Sequence, residues 1–259
     1  MIALVTGASS GIGEATAKRI AREPGANLIL VARRQDRLEA LAAEIGGATV
    51  IAADLTEDGA PAMVAERVEA EHGRLDLLVN NAGAAWRGKF GESGWENLER
   101  HMKLNFDAVA RLTEALLPIL RRSAPSSIVN VASTAGRVSR ANSGAYSASK
   151  FALAGWTDAI HLEEREHGVH VGMVLPGFVA TEGFPQTELR ERALTRWALS
   201  TPDKVAEAIM DAGPGGKAER YVPRPYFLAA AGRIIAPRLV RRGARGKVFT
   251  PQTRGSGGA

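Results

Sequence analysis

The chain has 259 residues, of which 45% are hydrophobic and none is cysteine, so it can bury a full core but forms neither disulfides nor cysteine-bound metal sites. Its net charge of +5 comes from the C-terminal end: residues 220–259 contain nine Lys or Arg and no Asp or Glu, whereas residues 1–219 carry 24 basic and 28 acidic side chains. This distribution argues against general nucleic-acid binding, and no apolar run is long enough to cross a bilayer.

The first thirteen residues are predicted to form a strand, residues 2–5, that runs directly into a glycine turn and a helix. Such a turn lets backbone N–H groups approach a phosphate, and the helix N-terminus adds a partial positive charge. We therefore expect a dinucleotide pyrophosphate site, the alternative being an ordinary strand–helix turn that is rich in glycine. The residues expected to bind are Gly7, Ser9, Ser10, Gly11, Ile12 and Gly13.

Strand-like and helix-like segments alternate along the rest of the chain. Further strands are predicted at residues 27–32, 49–53, 75–79, 127–132 and 170–175. Helices are predicted at residues 36–45, 62–71, 95–122 and 146–167, with a break before Asn105. This alternation predicts the α/β class: a doubly wound Rossmann-type parallel sheet with helices on both faces, in a single domain covering residues 1–249. No signal peptide precedes the first strand, so we expect a cytoplasmic protein.

Polar or glycine-containing turns follow four of the predicted strands. Because ligands of open parallel sheets bind at the carboxyl ends of the strands, these turns are candidate site residues. In chain order they are Asp54-Leu55, Asn80-Asn81-Ala82-Gly83, Ser133 and Pro176-Gly177.

Tyr146 and Lys150 lie four residues apart on a predicted helix and therefore share one face. A free phenol has a pKa near 10, and a nearby ammonium lowers it, which makes the pair a candidate acid/base for carbonyl–carbinol interconversion. An isolated Tyr-x-x-x-Lys is more often a core tyrosine beside a solvated lysine. Ser133 favours the catalytic interpretation, because its hydroxyl can hold the reacting oxygen against the tyrosine.

The second predicted strand ends in Ala32-Arg33-Arg34, about twenty residues after the glycine turn, where an NAD-binding site has an acidic residue for the adenosine ribose. A carboxylate would repel a 2′-phosphate, whereas a guanidinium bonds it with two donors. We therefore predict that NADP(H) is preferred over NAD(H). Arg33 is the better candidate because it comes first after the apolar strand, and Arg34 either stacks on the adenine or points into water.

Residues 1–185 resemble a compact, single-domain short-chain dehydrogenase/reductase. The motifs that carry the resemblance stand in the family's order and spacing: Thr6-Gly7-x-x-x-Gly11-x-Gly13, Asp54-Leu55, Asn80-Asn81-Ala82-Gly83, Asn105, Ser133, Tyr146-x-x-x-Lys150 and Pro176-Gly177. The resemblance implies a catalytic set of Asn105, Ser133, Tyr146 and Lys150, in which Asn105 holds a water that links the lysine to solvent.

The resemblance also assigns cofactor contacts. Asn81, Ala82 and Gly83 flank the ribose, Tyr146 and Lys150 face the nicotinamide ribose, Asp54 and Leu55 lie at the adenine, and Pro176, Gly177 and Thr181 lie at the nicotinamide. No histidine or carboxylate cluster has metal-ligand spacing, so we expect no metal.

The leading hypothesis is an NADP(H)-dependent oxidoreductase that interconverts a carbonyl and a secondary alcohol on a small, apolar substrate. One alternative is an acyl-carrier ketoacyl reductase, for which Arg137 and Arg140 are basic candidates at the pocket mouth. The other is a non-catalytic dinucleotide-sensing regulator, against which the complete catalytic set argues.

The region after Gly177 is expected to form a lid, about residues 178–200, with Trp86 lining the same pocket. Its apolar residues are Phe178, Phe184, Leu189, Leu194 and Trp197. By resemblance, the helices near residues 106–120 and 151–162 build the interface of a homodimer or homotetramer.

The basic C-terminal segment, about residues 220–249, is expected to contribute a helix that covers the pocket or a neighbouring subunit. A peripheral contact with anionic lipid is the less favoured alternative, because Pro237 interrupts any long amphipathic face. Residues 250–259 are expected to be disordered.

Overall fold

The computed structural model describes residues 1–181 and 199–244, and its strands form one parallel sheet and one short ladder. The sheet contains seven strands in the order β3-β2-β1-β4-β5-β6-β9. In chain order these are β1 (Ile2–Thr6), β2 (Asn27–Ala32), β3 (Thr49–Ala52), β4 (Leu77–Asn80), β5 (Ser126–Val131), β6 (Val169–Pro176) and β9 (Glu219–Val222). The ladder pairs β7 (Phe178–Val179) with β8 (Leu199–Ser200).

Helices cover both faces of the sheet, which confirms the predicted α/β class. They are α1 (Gly11–Ile20), α2 (Gln35–Glu44), α3 (Ala60–His72), α4 (Phe90–Met102), α5 (Ala108–Arg122), α6 (Gly144–Glu163), α7 (Pro202–Ala212), α8 (Tyr226–Ile235) and α9 (Pro237–Ala244). The predicted break before Asn105 is a π-helical turn, Lys103–Asp107, which joins α4 to α5.

The two layers follow from the alternation of side chains along the strands. In β1, Ala3 and Val5 enter the core on one face of the sheet, and Leu4 enters the core on the other. All three side chains are fully buried. Because both faces are covered, the strands are almost continuously apolar rather than alternating, as parallel sheets require.

Strand β1 pairs in parallel with β2 on one side and with β4 on the other, so the strand order reverses between β1 and β4. The crevice at this switch point lies outside the carboxyl ends of the strands, where α/β folds bind their ligands. The glycine turn after β1 and the Asn81–Gly83 turn after β4 therefore meet there.

Two elements near the C-terminus escaped the sequence analysis. The strand β9 has only four residues, three of them polar or aromatic, and it pairs at the edge of the sheet, so it lacks the apolar run of a central strand. The helix α7 begins with a local signal that was overlooked: the Thr201 hydroxyl accepts a hydrogen bond from the Lys204 N–H, and Pro202 follows the cap.

The basic C-terminal segment contains the predicted helix, α8, whose first residue Tyr226 lies over the site. The chain leaves the helical conformation at Ala236, directly before Pro237, as the proline predicts. Ile234 and Ile235 at the far end of α8 are 82% and 83% exposed. Residues 182–198 of the expected lid, with Phe184, Leu189, Leu194 and Trp197, and the predicted disordered tail at 250–259 lie outside the described residues.

Among the described residues, no helix is both long and apolar enough to cross a membrane.

Candidate active site

The glycine turn after β1 is folded so tightly that its three glycine positions do not accommodate a side chain. Gly7 and Gly11 have φ angles of 64° and 60°, which L side chains rarely adopt. A Cβ on Gly13 would lie 2.2 Å from the Gly7 carbonyl oxygen. Ser10 precedes the first residue of α1 in an extended conformation, so the turn delivers backbone N–H groups to the helix N-terminus. This is a cradle for an anion such as a pyrophosphate.

The turn after β4 is attached to the end of β1 through Thr6. The Thr6 hydroxyl accepts hydrogen bonds from the backbone N–H groups of Asn81 and Ala82, both at 2.9 Å. The Asn81 side chain donates to the Thr6 carbonyl oxygen at 2.9 Å. The residues expected at the cofactor ribose therefore lie directly against the glycine turn.

The two arginines after β2 border the same turn in different ways. Arg34 donates from Nη2 to the Ser9 hydroxyl at 3.1 Å and to the Ser9 carbonyl oxygen at 3.2 Å. The Arg33 side chain is 77% exposed, and its Nη1 lies 3.7 Å from Asp54 Oδ2. Arg34 thus contacts the glycine turn while it remains exposed, and Arg33 lies beside Asp54.

Asp54 and Leu55 follow β3 at the expected adenine side. Asp54 Oδ1 accepts hydrogen bonds from the Thr56 N–H at 3.0 Å and from its hydroxyl at 2.7 Å. Burial raises the pKa of the Asp54 carboxyl, but the hydrogen bonds from Thr56 and the charge of Arg33 outweigh burial, so this pKa is lowered overall. The Leu55 side chain is buried in the core, which leaves only its backbone to face a nucleotide.

Asn105 lies in the π-helical turn and is fully buried. Its Oδ1 accepts from the Ala84 N–H at 2.9 Å, and its Nδ2 donates to the Ala84 carbonyl oxygen and to the Ser149 hydroxyl, both at 3.0 Å. A π turn widens the helix by one residue and is frequent at functional sites. The turn here presents the Asn105 amide to the loop after β4.

Lys150 is 4% exposed, and its ammonium donates to the Val131 carbonyl oxygen at 2.8 Å. Burial lowers its pKa from 10.5 to about 8. Gly83 lies between this ammonium and Asn105: a Cβ on Gly83 would be 3.5 Å from Lys150 Nζ and 2.9 Å from Asn105 Oδ1. The loop after β4 therefore meets both predicted relay residues.

Ser133 lies close enough to Tyr146 for its hydroxyl to influence the pKa of the phenol. The Ser133 hydroxyl accepts a hydrogen bond from the Ala135 N–H at 3.1 Å and donates to the Pro176 carbonyl oxygen at 3.4 Å. The expected lowering of the Tyr146 pKa by an ammonium is wrong for this structure. Burial raises this pKa, and the opposing influences are the Ser133 hydroxyl and the charge of Arg140.

His101, which the sequence analysis missed, packs against the ring of Tyr146. His101 is fully buried; its Nε2 accepts from the Trp86 N–H at 3.0 Å, which leaves Nδ1 to donate to the Asn97 carbonyl oxygen at 2.6 Å. Its ring centroid lies 6.1 Å from that of Tyr146 and 4.9 Å from that of Trp86, both edge-on. Nothing in the local sequence marks this histidine, because the contact depends on α4 packing against α6.

Ser149 and a buried polar network beneath the site also went unnoticed. Ser149 accepts from Asn105 and donates to the Tyr146 carbonyl oxygen at 2.9 Å. Asn80 donates to Asn130 Oδ1 at 2.9 Å, and Asn130 donates to the Thr157 hydroxyl at 2.9 Å. These bonds tie β4, β5 and α6 together directly under the catalytic groups.

The nicotinamide side of the site is formed by the chain after β6. A Cβ on Gly177 would lie 2.3 Å from the Tyr226 ring, so α8 packs directly on the Pro176-Gly177 turn. Thr181 reaches back over the glycine turn, with its methyl carbon 3.2 Å from where a Gly11 Cβ would stand. Helix α8 thus begins against the Pro176-Gly177 turn.

Arg137 and Arg140, the candidate contacts for an acyl-carrier protein, differ in their surroundings. Arg137 is paired with Asp158 at 3.2 Å and with Glu219 at 3.6 Å. Arg140 is half-buried, with its guanidinium carbon 4.6 Å from the centroid of the Phe178 ring. Arg137 is therefore neutralised on the surface, whereas Arg140 belongs to the pocket.

Comparison with known sequences finds proteins that are similar to this chain over most of its length. A sequence profile described as short chain dehydrogenase matches residues 1–192. The oxidoreductase UcpA of Salmonella typhimurium is 37% identical over 184 residues, which cover 69% of this chain and 69% of that protein. The ketoacyl reductase HetN of a Nostoc species is 34% identical over 213 residues, 81% of this chain and 74% of that protein.

Solved structures share the fold across most of the chain. A short-chain dehydrogenase from Streptomyces avermitilis superimposes with a TM-score of 0.79 and 32% identity, covering 93% of this chain and 98% of that chain. An alcohol dehydrogenase from Thermococcus sibiricus, complexed with 5-hydroxy-NADP, gives a TM-score of 0.72 and 27% identity, covering 80% and 88%. The similarity therefore extends well beyond the short motifs.

The buried lysine predicts a pH dependence of stability. Because the Lys150 pKa falls from 10.5 to about 8 on folding, the unfolded chain binds more protons than the folded chain between these values. The free energy of unfolding therefore rises with pH through this window, by up to about 3 kcal/mol. Urea titrations of the parent and of Lys150→Met should show the parent gaining stability relative to the variant from pH 7.5 to 10.5.

The exposed Lys204→Met variant is the control, and its difference from the parent should stay constant over the same pH range. A constant difference for Lys150→Met as well would contradict the lowered pKa.

Proposed function

This chain belongs to the short-chain dehydrogenase/reductase family of NAD(P)-dependent oxidoreductases, and from that membership we propose that it interconverts a carbonyl and a secondary alcohol with NADP(H). One observation carries the proposal: Tyr146, with Ser133 close enough to influence its pKa, lies at the same edge of the sheet as the Lys150–Asn105–Gly83 cluster. A fold that only sensed a dinucleotide would need the glycine turn but no proton-handling groups.

The proton chemistry is assigned to Tyr146. In the reducing direction the carbonyl carbon accepts a hydride, the C=O double bond becomes a single bond, and the oxygen takes the phenolic proton of Tyr146. The bound nicotinamide supplies the hydride. Because burial raises the pKa of Tyr146, the phenol keeps its proton near neutral pH and is suited to act as the donor.

Ser133 orients the reacting oxygen. Its hydroxyl is held by the Ala135 N–H and by the Pro176 carbonyl oxygen, so its position does not depend on a ligand. A substrate oxygen placed between Ser133 and Tyr146 receives two hydrogen bonds, which strengthen as negative charge develops on it. Lys150 and Asn105 then form the route by which the tyrosine proton is replaced.

The glycine turn and the arginines beside it support dinucleotide binding. The left-handed turn offers backbone N–H groups at the start of α1, and no acidic residue closes the end of β2. Two guanidinium groups border the expected 2′-phosphate position, Arg34 against Ser9 and Arg33 beside Asp54. The similarity to an enzyme complexed with 5-hydroxy-NADP agrees with the choice of NADP(H).

A ketoacyl reductase is the second candidate, because the chain is 34% identical to the ketoacyl reductase HetN over 81% of its length. The pairing of Arg137 with Asp158 and Glu219 weakens its role as a contact for an acidic carrier protein. An acyl-carrier substrate tested beside free ketones decides between these two candidates.

We also propose that the chain assembles into a homodimer or homotetramer. The outer face of α6 supports this, because Phe151 and Leu162 are 41% and 70% exposed. Exposed apolar side chains on a helix face of this fold are suited to pack against the same face of a second copy.

The acid/base assignment predicts the effect of Tyr146→Phe. The variant keeps the ring but loses the transferable proton, so turnover should fall by about three orders of magnitude or more, while NADPH binding measured by fluorescence quenching persists. Tyr221→Phe is the matched control and should keep near-normal turnover. Near-normal turnover of Tyr146→Phe would refute the assignment.

The cofactor assignment predicts the effect of Arg33→Ala and Arg34→Ala. Each variant loses a charge-assisted hydrogen bond to the 2′-phosphate, worth about 1.5–3 kcal/mol, so the KM for NADPH should rise roughly ten- to a hundredfold. The KM for NADH should change little. Equal or better use of NADH by the parent would show that the arginines do not read the phosphate.

The proposed assembly predicts the solution mass. Light scattering at micromolar concentration should give two or four times the chain mass of 27.4 kDa. Leu162→Glu places a charge in the proposed interface and should lower this mass. A monomer mass for the parent would rule out the assembly.

A further inference from the structure

Helix α8 carries an apolar stripe on one face. Phe227, Leu228, Ile234 and Ile235 stand at positions i, i+1, i+7 and i+8, a spacing that places them on the same side of a helix. All four are exposed, and the two isoleucines keep more than four-fifths of their surface in water. Single exposed apolar residues are ordinary, but a continuous stripe over a helix about 15 Å long marks an interaction surface.

The opposite face of α8 packs against the rest of the molecule. Tyr226 and Arg233 are seven residues apart and share this face. The Tyr226 ring lies against Gly177, and Arg233 lines a cleft together with Val138 and Ser139 of the loop between β5 and α6. The helix is therefore held in place by one face, which leaves the apolar stripe directed outward.

Pro237 divides the C-terminal segment into two helices. The chain leaves the helical conformation at Ala236, and α9 packs on α8 so that a Cβ on Gly232 would lie 3.5 Å from Val240 Cγ2. Leu239 on α9 is 69% exposed and adds a fifth apolar side chain to the segment. The proline therefore prevents one long amphipathic helix but leaves two short helices that both expose apolar side chains.

The segment is positively charged. Arg238, Arg241 and Arg242 on α9 are exposed, and within residues 1–181 and 199–244 none of the three forms an ion pair with Asp or Glu. The parts of the chain outside the described residues do not reverse this charge. Residues 245–259 add three basic residues and no acidic one, and residues 182–198 contain three Arg and three Glu, which cancel.

These charges distinguish between two kinds of partner. In a twofold pairing of this face with a second copy, the arginines of one chain would meet the same arginines of the other, and like charges repel. An anionic lipid surface supplies the opposite charge together with an apolar layer for the isoleucines. Residues 1–219 carry 24 basic and 28 acidic side chains, so such a surface attracts the C-terminal segment and repels the body.

We propose that α8 and α9 dock the protein onto the surface of an anionic lipid bilayer. The apolar stripe of α8 lies at the boundary between headgroups and acyl chains, and the arginines of α9 contact the lipid phosphates. This is an interfacial contact, in which the helix lies in the plane of the membrane. The charge difference between the segment and the body fixes which side of the molecule faces the lipid.

Sedimentation of the full-length chain with vesicles tests the proposal. Vesicles of phosphatidylcholine with about 30% phosphatidylserine should bind the protein at least about tenfold more strongly than vesicles of phosphatidylcholine alone. Raising the salt concentration from about 0.1 M to about 1 M shortens the Debye length from about 10 Å to about 3 Å and should remove most of this difference. Absence of binding to the anionic vesicles, or equal binding to both kinds, would overturn the proposal.

Isoleucine variants test whether the apolar stripe enters the bilayer. Burial of an isoleucine side chain is worth about ten- to a hundredfold in a partition coefficient, so Ile234→Ser/Ile235→Ser should lower binding to anionic vesicles at least about tenfold. Phe90→Ser is the control, because Phe90 is 67% exposed on α4, outside the segment, and this variant should bind like the parent. Unchanged binding of the isoleucine variant would show that this face does not contact the lipid.

Arginine variants test the electrostatic part. Arg238→Gln and Arg242→Gln should each lower binding to anionic vesicles about fivefold, whereas Arg22→Gln, which removes an exposed charge after α1, should leave it unchanged. An equal loss in all three variants would show that only the net charge matters and would contradict docking by this segment.

Two further measurements separate docking from the alternatives. NADPH binding and the melting temperature should match the parent in every variant, because the altered side chains are exposed, and the vesicle assay needs no turnover. A parent that ignores vesicles, with a light-scattering mass that falls in Ile234→Ser/Ile235→Ser, would overturn the proposal and assign the face to a second copy of the chain.

Discussion

The close crossing of two chain segments at the switch point of the sheet determines the rest of the site. The Thr6 hydroxyl accepts two backbone N–H groups of the turn after β4, both at 2.9 Å, and donates to the Val79 carbonyl oxygen. A Cβ on Gly13 would lie 2.7 Å from the Asn81 side-chain nitrogen, so the crossing also requires a glycine there. Gly83 ends the same turn after β4 and lies against Asn105. The Thr6 hydrogen bonds therefore position both the glycine turn and the proton-handling residues.

A second set of polar contacts connects this crossing to α6, the helix that carries Tyr146 and Lys150. Asn105 is fully satisfied by Ala84 and Ser149, and Ser149 in turn bonds the backbone of Tyr146. Below it, Asn80, Asn130 and Thr157 form a chain of hydrogen bonds through the core. Buried polar networks fix geometry when every donor has a partner, since a missed bond is costly in a low dielectric. The core under the site is therefore polar by construction, whereas the rest of the sheet is apolar.

The parts of the fold with local signals could be predicted from the sequence. Strands β1–β6 are apolar runs, and Asn105 could be located because it stands in order and spacing with family motifs that are specific together. The edge strand β9 could not, since it is held by pairing with β6 and has no apolar run of its own. His101 and Ser149 are likewise invisible locally, because their roles arise from the packing of α4 on α6. The shift of the Tyr146 pKa was predicted in the wrong direction for the same reason, because the spacing of charges can be read from a sequence but burial cannot.

Burial moves the two ionisable groups of the catalytic helix in opposite directions and brings both toward their neutral forms. It raises the pKa of Tyr146 and lowers that of Lys150 to about 8. A guanidinium does not deprotonate in proteins, so Arg140 keeps its charge throughout the neutral range. Above about pH 8 the positive potential at the tyrosine is therefore set by Arg140 more than by Lys150.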